Sequence, residues 1–249
     1  MPRVKPEYFE SKKALIVNAA LEVCKRKTIS SITMQDIIDE TGLSQGGIYR
    51  FYKNIDEILV QVLNRIRTEQ DTYERMMQMY AIRAEELENA RRIENEEEAR
   101  QSRRKVLVSI IKDYMMILAE SMEKYLYPHT KIEMEFLMLA HDYPERAGRI
   151  FNNVVPYKSA YPQLYKEVMR ECEDGCLLPK VSIDEFFSYH SAVYQGIIKK
   201  AISKTCYEKN AKHNEQYIYD FKSRTTTMFY SCCFFLGLEG ELEEQDRMD

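Results

Sequence analysis

The sequence predicts an all-α protein, and three observations carry that prediction. Gly (8) and Pro (7) make up about 6% of the chain, half the usual share of roughly 12%. Between Gly47 and Pro128 run 80 residues with neither, so nothing in that stretch forces a helix to break. No segment shows the clean period-2 alternation of a half-buried strand. The scarcity of turn-formers also argues against a sandwich, a barrel or a βαβ array.

Composition bounds the rest. Hydrophobic residues are 45% of the 249 and charged residues 31%, which fits a folded chain with a real core. A net charge of −4 excludes a uniformly basic coat for nucleic acid but leaves room for a local one. No apolar run approaches the ~18 residues of a membrane span. The opening MPRVKPEYFESKK has no apolar h-region, so no secretory signal is expected. Six cysteines in a chain of this length read as reduced, mostly buried thiols of a cytoplasmic protein.

The elements follow in order. Ile16, Ala19, Ala20 and Val23 fall at helical spacing and give a first helix over 12–26. Thr33 caps a second, with Asp36 as its acidic first-turn partner. Thr41-Gly42 ends it, because glycine supplies the positive φ of a sharp turn between helices. Ser44 caps a third helix from Gln45 to about Tyr52. Asn54 with Glu57 opens a fourth carrying Ile55, Ile58, Leu59 and Val62. Residues 83–105 hold seven Lys/Arg and seven Asp/Glu and read as a solvated helix laced with i,i+4 pairs, or as a connector. Amphipathicity returns from Leu107 to Tyr125, and Pro128 ends that helix. Shorter helices are expected at 131–141, stopped by Pro144, and at about 162–174. Ser182 with Glu185 forms a capping box for a helix to about Ser203, and a last helix covers about 214–237.

The informative segment is Ile32 to Leu59, ITMQDIIDETGLSQGGIYRFYKNIDEIL. Two short helices joined by a glycine turn, then a long helix, make a helix-turn-helix, whose second helix enters the major groove. Gly46 and Gly47 sit in that helix, each costing roughly 1 kcal/mol against Ala. Bare backbone suits a close approach to another backbone. Tyr49, Arg50, Tyr52 and Lys53 can hydrogen-bond or neutralise phosphates, and Gln45 suits an adenine edge.

In this segment the chain resembles the tetracycline-repressor (TetR) family of bacterial regulators. The resemblance rests on Thr33, Ile37-Ile38, Gly42, Leu43, Ser44, Gly46, Ile48, Tyr49, Tyr52 and Leu59 in ungapped spacing. It implies a DNA-binding head over 1–55 and a ligand-binding and dimerisation domain over 56–249. By position, Thr33, Tyr49, Tyr52 and Lys53 hold phosphates, and Gln35, Gln45, Gly47 and Arg50 face bases or the groove edge. Ser44 and Gly46 complete the DNA-contacting set. The last two helices pair with a second subunit as a four-helix bundle, through Phe186, Val193, Ile197, Phe221, Met228 and Phe235. A small molecule releases the two heads from a palindromic operator. One departure stands out: members carry a Lys at the start of the fourth helix, and here it is Ile55. Residues 1–60 hold nine Lys/Arg and eight Asp/Glu, so Arg3, Lys5, Lys12 and Lys13 are candidates for a basic arm.

Thirteen Met and eighteen Tyr suit an adaptable apolar pocket as well as a helical core. Tyr114, Met115, Leu118, Met122, Tyr125, Met138, Tyr161, Tyr165 and His190 are the candidate effector residues. His190 equally suits packing beside Phe186 and Val193. None of the four histidines sits in a metal-binding motif, so no metal and no cofactor is expected. Cys172 and Cys176 are a possible thiol pair against the plainer reading of buried hydrophobes. No GxSxG, P-loop or GxGxxG occurs, so no enzyme is expected. The rival reading is an α-helical ligand-binding or enzymatic bundle whose helix-turn-helix only packs. Exposure discriminates them: a regulator leaves Gln45, Tyr49, Arg50 and Lys53 open, whereas a packing role buries Tyr49 and Tyr52.

Overall fold

A computed structural model describes residues 6–208 and 220–242. Among them are eleven α-helices and no strand. The helices divide into two compact units, residues 1–70 with 127–157, and residues 71–126 with 158–249.

The first unit opens with α1 (Pro6–Arg26), α2 (Met34–Thr41), α3 (Gln45–Tyr49) and α4 (Ile55–Glu69). Helix α1 starts six residues before the expected position. Ile16, Val23, Ile37, Ile48, Ile58, Leu59 and Leu63 form one core, each side chain contributing about 1.5–3 kcal/mol by burial. Two later helices complete it: α7 (Lys131–Asp142) and α8 (Pro144–Phe151) insert Ile132, Phe136, Leu139, Ala147 and Ile150. Polar contacts clamp them in place. Lys131 Nζ donates to the Cys24 carbonyl at 2.6 Å, Glu135 accepts the Ile29 N–H at 3.1 Å, and Arg146 meets Asp56 at 2.8 Å. Helix α7 stops before Pro144 as expected, and Pro144 also starts α8, since proline at the first helical position lacks only an N–H that is orphaned anyway.

The second unit holds α5 (Thr72–Arg91), α6 (Glu96–Tyr125), α9 (Tyr161–Glu173), α10 (Ile183–Glu208) and α11 (Phe221–Phe235). Helix α6 packs along both α5 and α11. The expected start of the last helix, 214–219, lies outside the described residues, and α11 begins after an Asp220 cap that accepts the Ser223 N–H at 2.8 Å.

The stretch 83–105 is not a uniformly solvated run. Arg91 binds Glu167 at 2.7 Å and also the fully buried Glu171, which Arg103 reaches at 3.2 Å. Arg104 donates to the carbonyls of Cys176 (3.0 Å) and Gly237 and pairs with Glu241 at 2.7 Å. A buried carboxylate is tolerated only with partners of this kind. Gly237 itself is required: its φ is +72°, and a Cβ there would meet the Leu178 carbonyl oxygen at 2.6 Å.

Candidate nucleic-acid interface

The head is organised by caps. Thr33 Oγ accepts the Asp36 N–H at 3.3 Å, and the Asp36 carboxylate accepts the Thr33 N–H and hydroxyl at 2.9 Å each. This closes a capping box on α2. Lys27, 2.7 Å from Asp36, holds that carboxyl below its ordinary range, helped by the bonds from Thr33. Gly42 ends α2 at φ +65°, donating to the Ile38 carbonyl at 3.0 Å. Ser44 Oγ then accepts the Gly47 N–H at 3.2 Å and starts α3.

Helix α3 is anchored by one side chain, Ile48, which is fully buried. Around it Gln45, Gly46, Tyr49 and Arg50 are exposed, and Lys53 is exposed in the following loop. Gln45 with Tyr49 and Gly46 with Arg50 are i,i+4 pairs, so they form adjacent rows on one surface. Thr33, Gln35 and Ser44 are also exposed, and Gly47 is half-buried. The Gln35 amide is engaged by Asp39 at 2.7 Å, and the Thr33 and Ser44 hydroxyls serve as caps. No atom outside its own helix backbone and chain neighbours lies within 4 Å of where a Gly46 Cβ would sit. The fold itself therefore gives no steric reason for a bare backbone there.

Tyr52 departs from its expected place. It is 7% exposed against 44% for Tyr49, and it belongs to the core. Burial pushes its phenol up, away from ionisation. The packing alternative thus accounts for Tyr52, and an open surface for the other four discriminating residues. Ile55 is half-buried and packs on the same core, beneath an Asn54 cap that accepts the Glu57 N–H at 3.0 Å.

Charge is distributed unevenly over the head. Lys25 pairs with Glu22, Arg26 with Glu40, and Lys27 with Asp36. Arg50 and Lys53 form no ion pair among the described residues. The Arg50 guanidinium lies 4.9 Å from the centre of the Phe9 ring, which meets Phe51 edge-on at 5.7 Å. Sequence reasoning missed Phe9, because α1 was expected to start after it. Of the basic arm, Lys12 lies over the Tyr8 ring and Lys13 pairs with Glu10 at 3.3 Å. Arg3 and Lys5 lie outside the described residues.

The other candidates separate. Tyr114, Met115, Leu118, Met122, Tyr125 and His190 are all buried in the second unit. Met138 does not join them: it lies on α7 in the first unit and is 61% exposed. Tyr161 and Tyr165 are half-buried beside α10. The His190 ring is 5.7 Å from that of Tyr114, and its Nε2 has no hydrogen-bond partner, as is true of Tyr80 Oη and Ser121 Oγ. Burial lowers the His190 pKa to about 4. The expected dimer stripe is used internally instead. Phe186, Ile197, Phe221 and Met228 are buried within the chain, and Val193 and Phe235 are half-buried. The apolar face of each helix marks its own core, and sequence periodicity cannot tell that core from a partner's. Cys176 is buried, donates to the Arg100 carbonyl at 3.8 Å, and is pushed up to about 12 by burial, which makes its thiol inert.

A glycine turn between two capped helices, with the second helix held by one buried isoleucine and otherwise open, defines a helix-turn-helix head. Residues 16–62 match the family profile described as bacterial regulatory proteins, tetR family. A protein of Bacillus subtilis (strain 168), an uncharacterized HTH-type transcriptional regulator named YfiR, is 34% identical over 62 residues, which are 25% of this chain. The chain spans about 30% of that relative's length. The match to the TetR family is thus carried by the head and ends at Val62.

Proposed function

We propose that the protein is a transcriptional regulator: a homodimer whose two heads bind a palindromic operator, acting in the cytoplasm as a repressor released by a small molecule. The observation that carries this is the open surface of α3. Gln45, Tyr49, Arg50 and Lys53 are exposed, the two cations are unpaired among the described residues, and Gly46 is bare without an internal reason. Side chains of this kind are what phosphate and base contacts require. Unpaired cations are also the ones able to displace counterions from DNA. Half-sites in mirrored order follow from a two-fold dimer. No helix among the described residues is long and apolar enough to cross a membrane.

The test is fluorescence anisotropy of the purified protein with DNA flanking its own gene, against a scrambled duplex of equal length. Sequence-dependent binding, with a footprint of two mirrored half-sites, is the expected result. Equal, weak affinity for both duplexes would favour the helical bundle whose helix-turn-helix only packs.

A further inference from the structure

Helices α9 and α10 border a surface cleft of about 500 Å³. Its wall is aromatic. The buried Phe187 has the rings of Tyr161 and Tyr165 at 4.8 and 5.0 Å between centroids. Both phenols are fixed: Tyr161 donates to the Phe187 carbonyl oxygen and Tyr165 to Asp184 Oδ1, each at 3.1 Å. Asp184 is the one charged residue lining the cleft. It is exposed and forms no ion pair among the described residues. Ser188, Ser191 and Gln195 add neutral polar groups to the lining, and Ala192 completes it.

Three rings beside a single uncompensated carboxylate select a ligand by charge. Ring faces carry negative electrostatic potential and attract a cation, most strongly one with a weakly hydrated, alkylated head. An anion is repelled by Asp184, and a neutral ligand leaves its charge unused. We propose that this cleft binds an organic monocation, an alkylated ammonium with an apolar body, its head between the tyrosine rings and Asp184. The hydrogen bond to Asp184 raises the Tyr165 pKa, so the phenol stays a neutral donor that orients the carboxylate. Behind the cleft the rings continue inward. Phe187 meets Phe186 at 5.0 Å, Phe186 meets His190 at 6.5 Å, and His190 meets Tyr114 of α6. A ligand in the cleft therefore touches the end of a packed aromatic ladder that reaches the middle of the second unit. The site stands on its own geometry. Its role as the effector site rests on the regulator reading above.

The experiment is calorimetric titration of the full chain, without DNA, with benzyltrimethylammonium and with benzyl alcohol as the neutral aromatic control. The cation is expected to bind one per chain and at least about tenfold more tightly than the alcohol. Asp184→Asn should weaken it about tenfold, and raised salt should weaken it in the wild type but less in the variant. Asp184 sits exposed in the first turn of α10, so the variant should keep its fold, which a circular dichroism melt checks. Tyr165→Leu, which removes a half-buried ring, is the second variant and should also lose affinity. Absence of cation binding at millimolar concentration, equal binding of the two probes, or unchanged affinity in Asp184→Asn each overturns the proposal. The operator complex is titrated separately. Cation binding that leaves that complex intact keeps the site and removes its regulatory role. Release by another molecule, without cation binding, does the reverse.

Discussion

Gly46→Ala separates folding from function at one atom. Gly46 is exposed in α3, its φ is not positive, and a Cβ there meets nothing within 4 Å. Alanine is favoured over glycine at a helical position by about 0.5–1 kcal/mol, partly because it restricts the unfolded chain. The free protein should therefore gain stability, with a rise in Tm of roughly 2–4 °C. If α3 approaches a phosphate backbone at Gly46, the added methyl pushes each head away, and operator affinity should fall about tenfold, or ~1.4 kcal/mol. Gly47→Ala is the control. There the new Cβ would lie 3.2 Å from Ser44 Oγ, the cap of the helix, so that hydroxyl has to yield and no stability is gained. Thermal melts with anisotropy at one fixed salt concentration read both quantities. A Gly46→Ala protein that is stabilised and binds DNA as tightly as wild type would refute the close approach.

Arg50→Ala should weaken operator binding by ~1–3 kcal/mol with little change in Tm, since the guanidinium is exposed and stacks only on Phe9; an unchanged Kd removes it from the contact surface. Ile55→Lys should lower Tm, because Ile55 packs on the head core, while the slope of log K against log[salt] stays put; a slope steeper by roughly 1.8 would show instead a vacant phosphate site in each head. His190 is held neutral, its pKa lowered from 6.5 to about 4 by burial. Its contribution is therefore present above pH 6.5 and lost as pH falls toward 4, roughly 3 kcal/mol in all. In urea melts across that range, His190→Gln should show a shallower acid loss than wild type, and identical acid slopes would contradict the assignment.

What the sequence reveals depends on how far apart the interacting residues lie. Thr33 with Asp36, Ser182 with Glu185 and the turn at Gly42 are settled within four residues, and each is found where the spacing puts it. The start of α6 was within the same reach, since Asn95 accepts the Glu98 N–H at 3.0 Å. That cap was hidden because the surrounding charges dominate the pattern. Pro144 shows the ambiguity of a breaker, which stops one helix as readily as it begins the next. The assignments that fail need partners distant in sequence. Arg91 and Arg103 are paired with Glu171 some 70 to 80 residues on, and Tyr52 is covered by a core that includes α7 and α8. Amphipathic periodicity marks that a helix has a buried face. It does not say what buries it, which is why the stripe assigned to a partner subunit packs within the chain.

The same distinction between local pattern and actual partner governs the electrostatics of the head. Counted by sequence, residues 1–60 carry nine cations against eight anions, too little net charge to suggest nucleic acid. Counted by geometry, the charges are sorted. Glu22, Asp36 and Glu40 each hold a cation from the end of α1, at Lys25, Lys27 and Arg26. Asp56 is taken by Arg146 of α8, and Glu57 by the Lys53 backbone N–H at 2.8 Å. Carboxylates committed in this way contribute little repulsion beyond a Debye length of about 10 Å. Among the described residues of the head, Lys12, Arg50 and Lys53 form no ion pair, and neither do Glu7 and Asp39. Arg50 caps the C-terminal end of α3, one turn on from the bare Gly46 and beside the open Tyr49, and Lys53 is exposed in the loop that follows. A nearly neutral head can thus present a locally positive surface, and it is the unpaired charge on that surface, not the net charge of the domain, that sets how strongly it is drawn to a phosphate backbone.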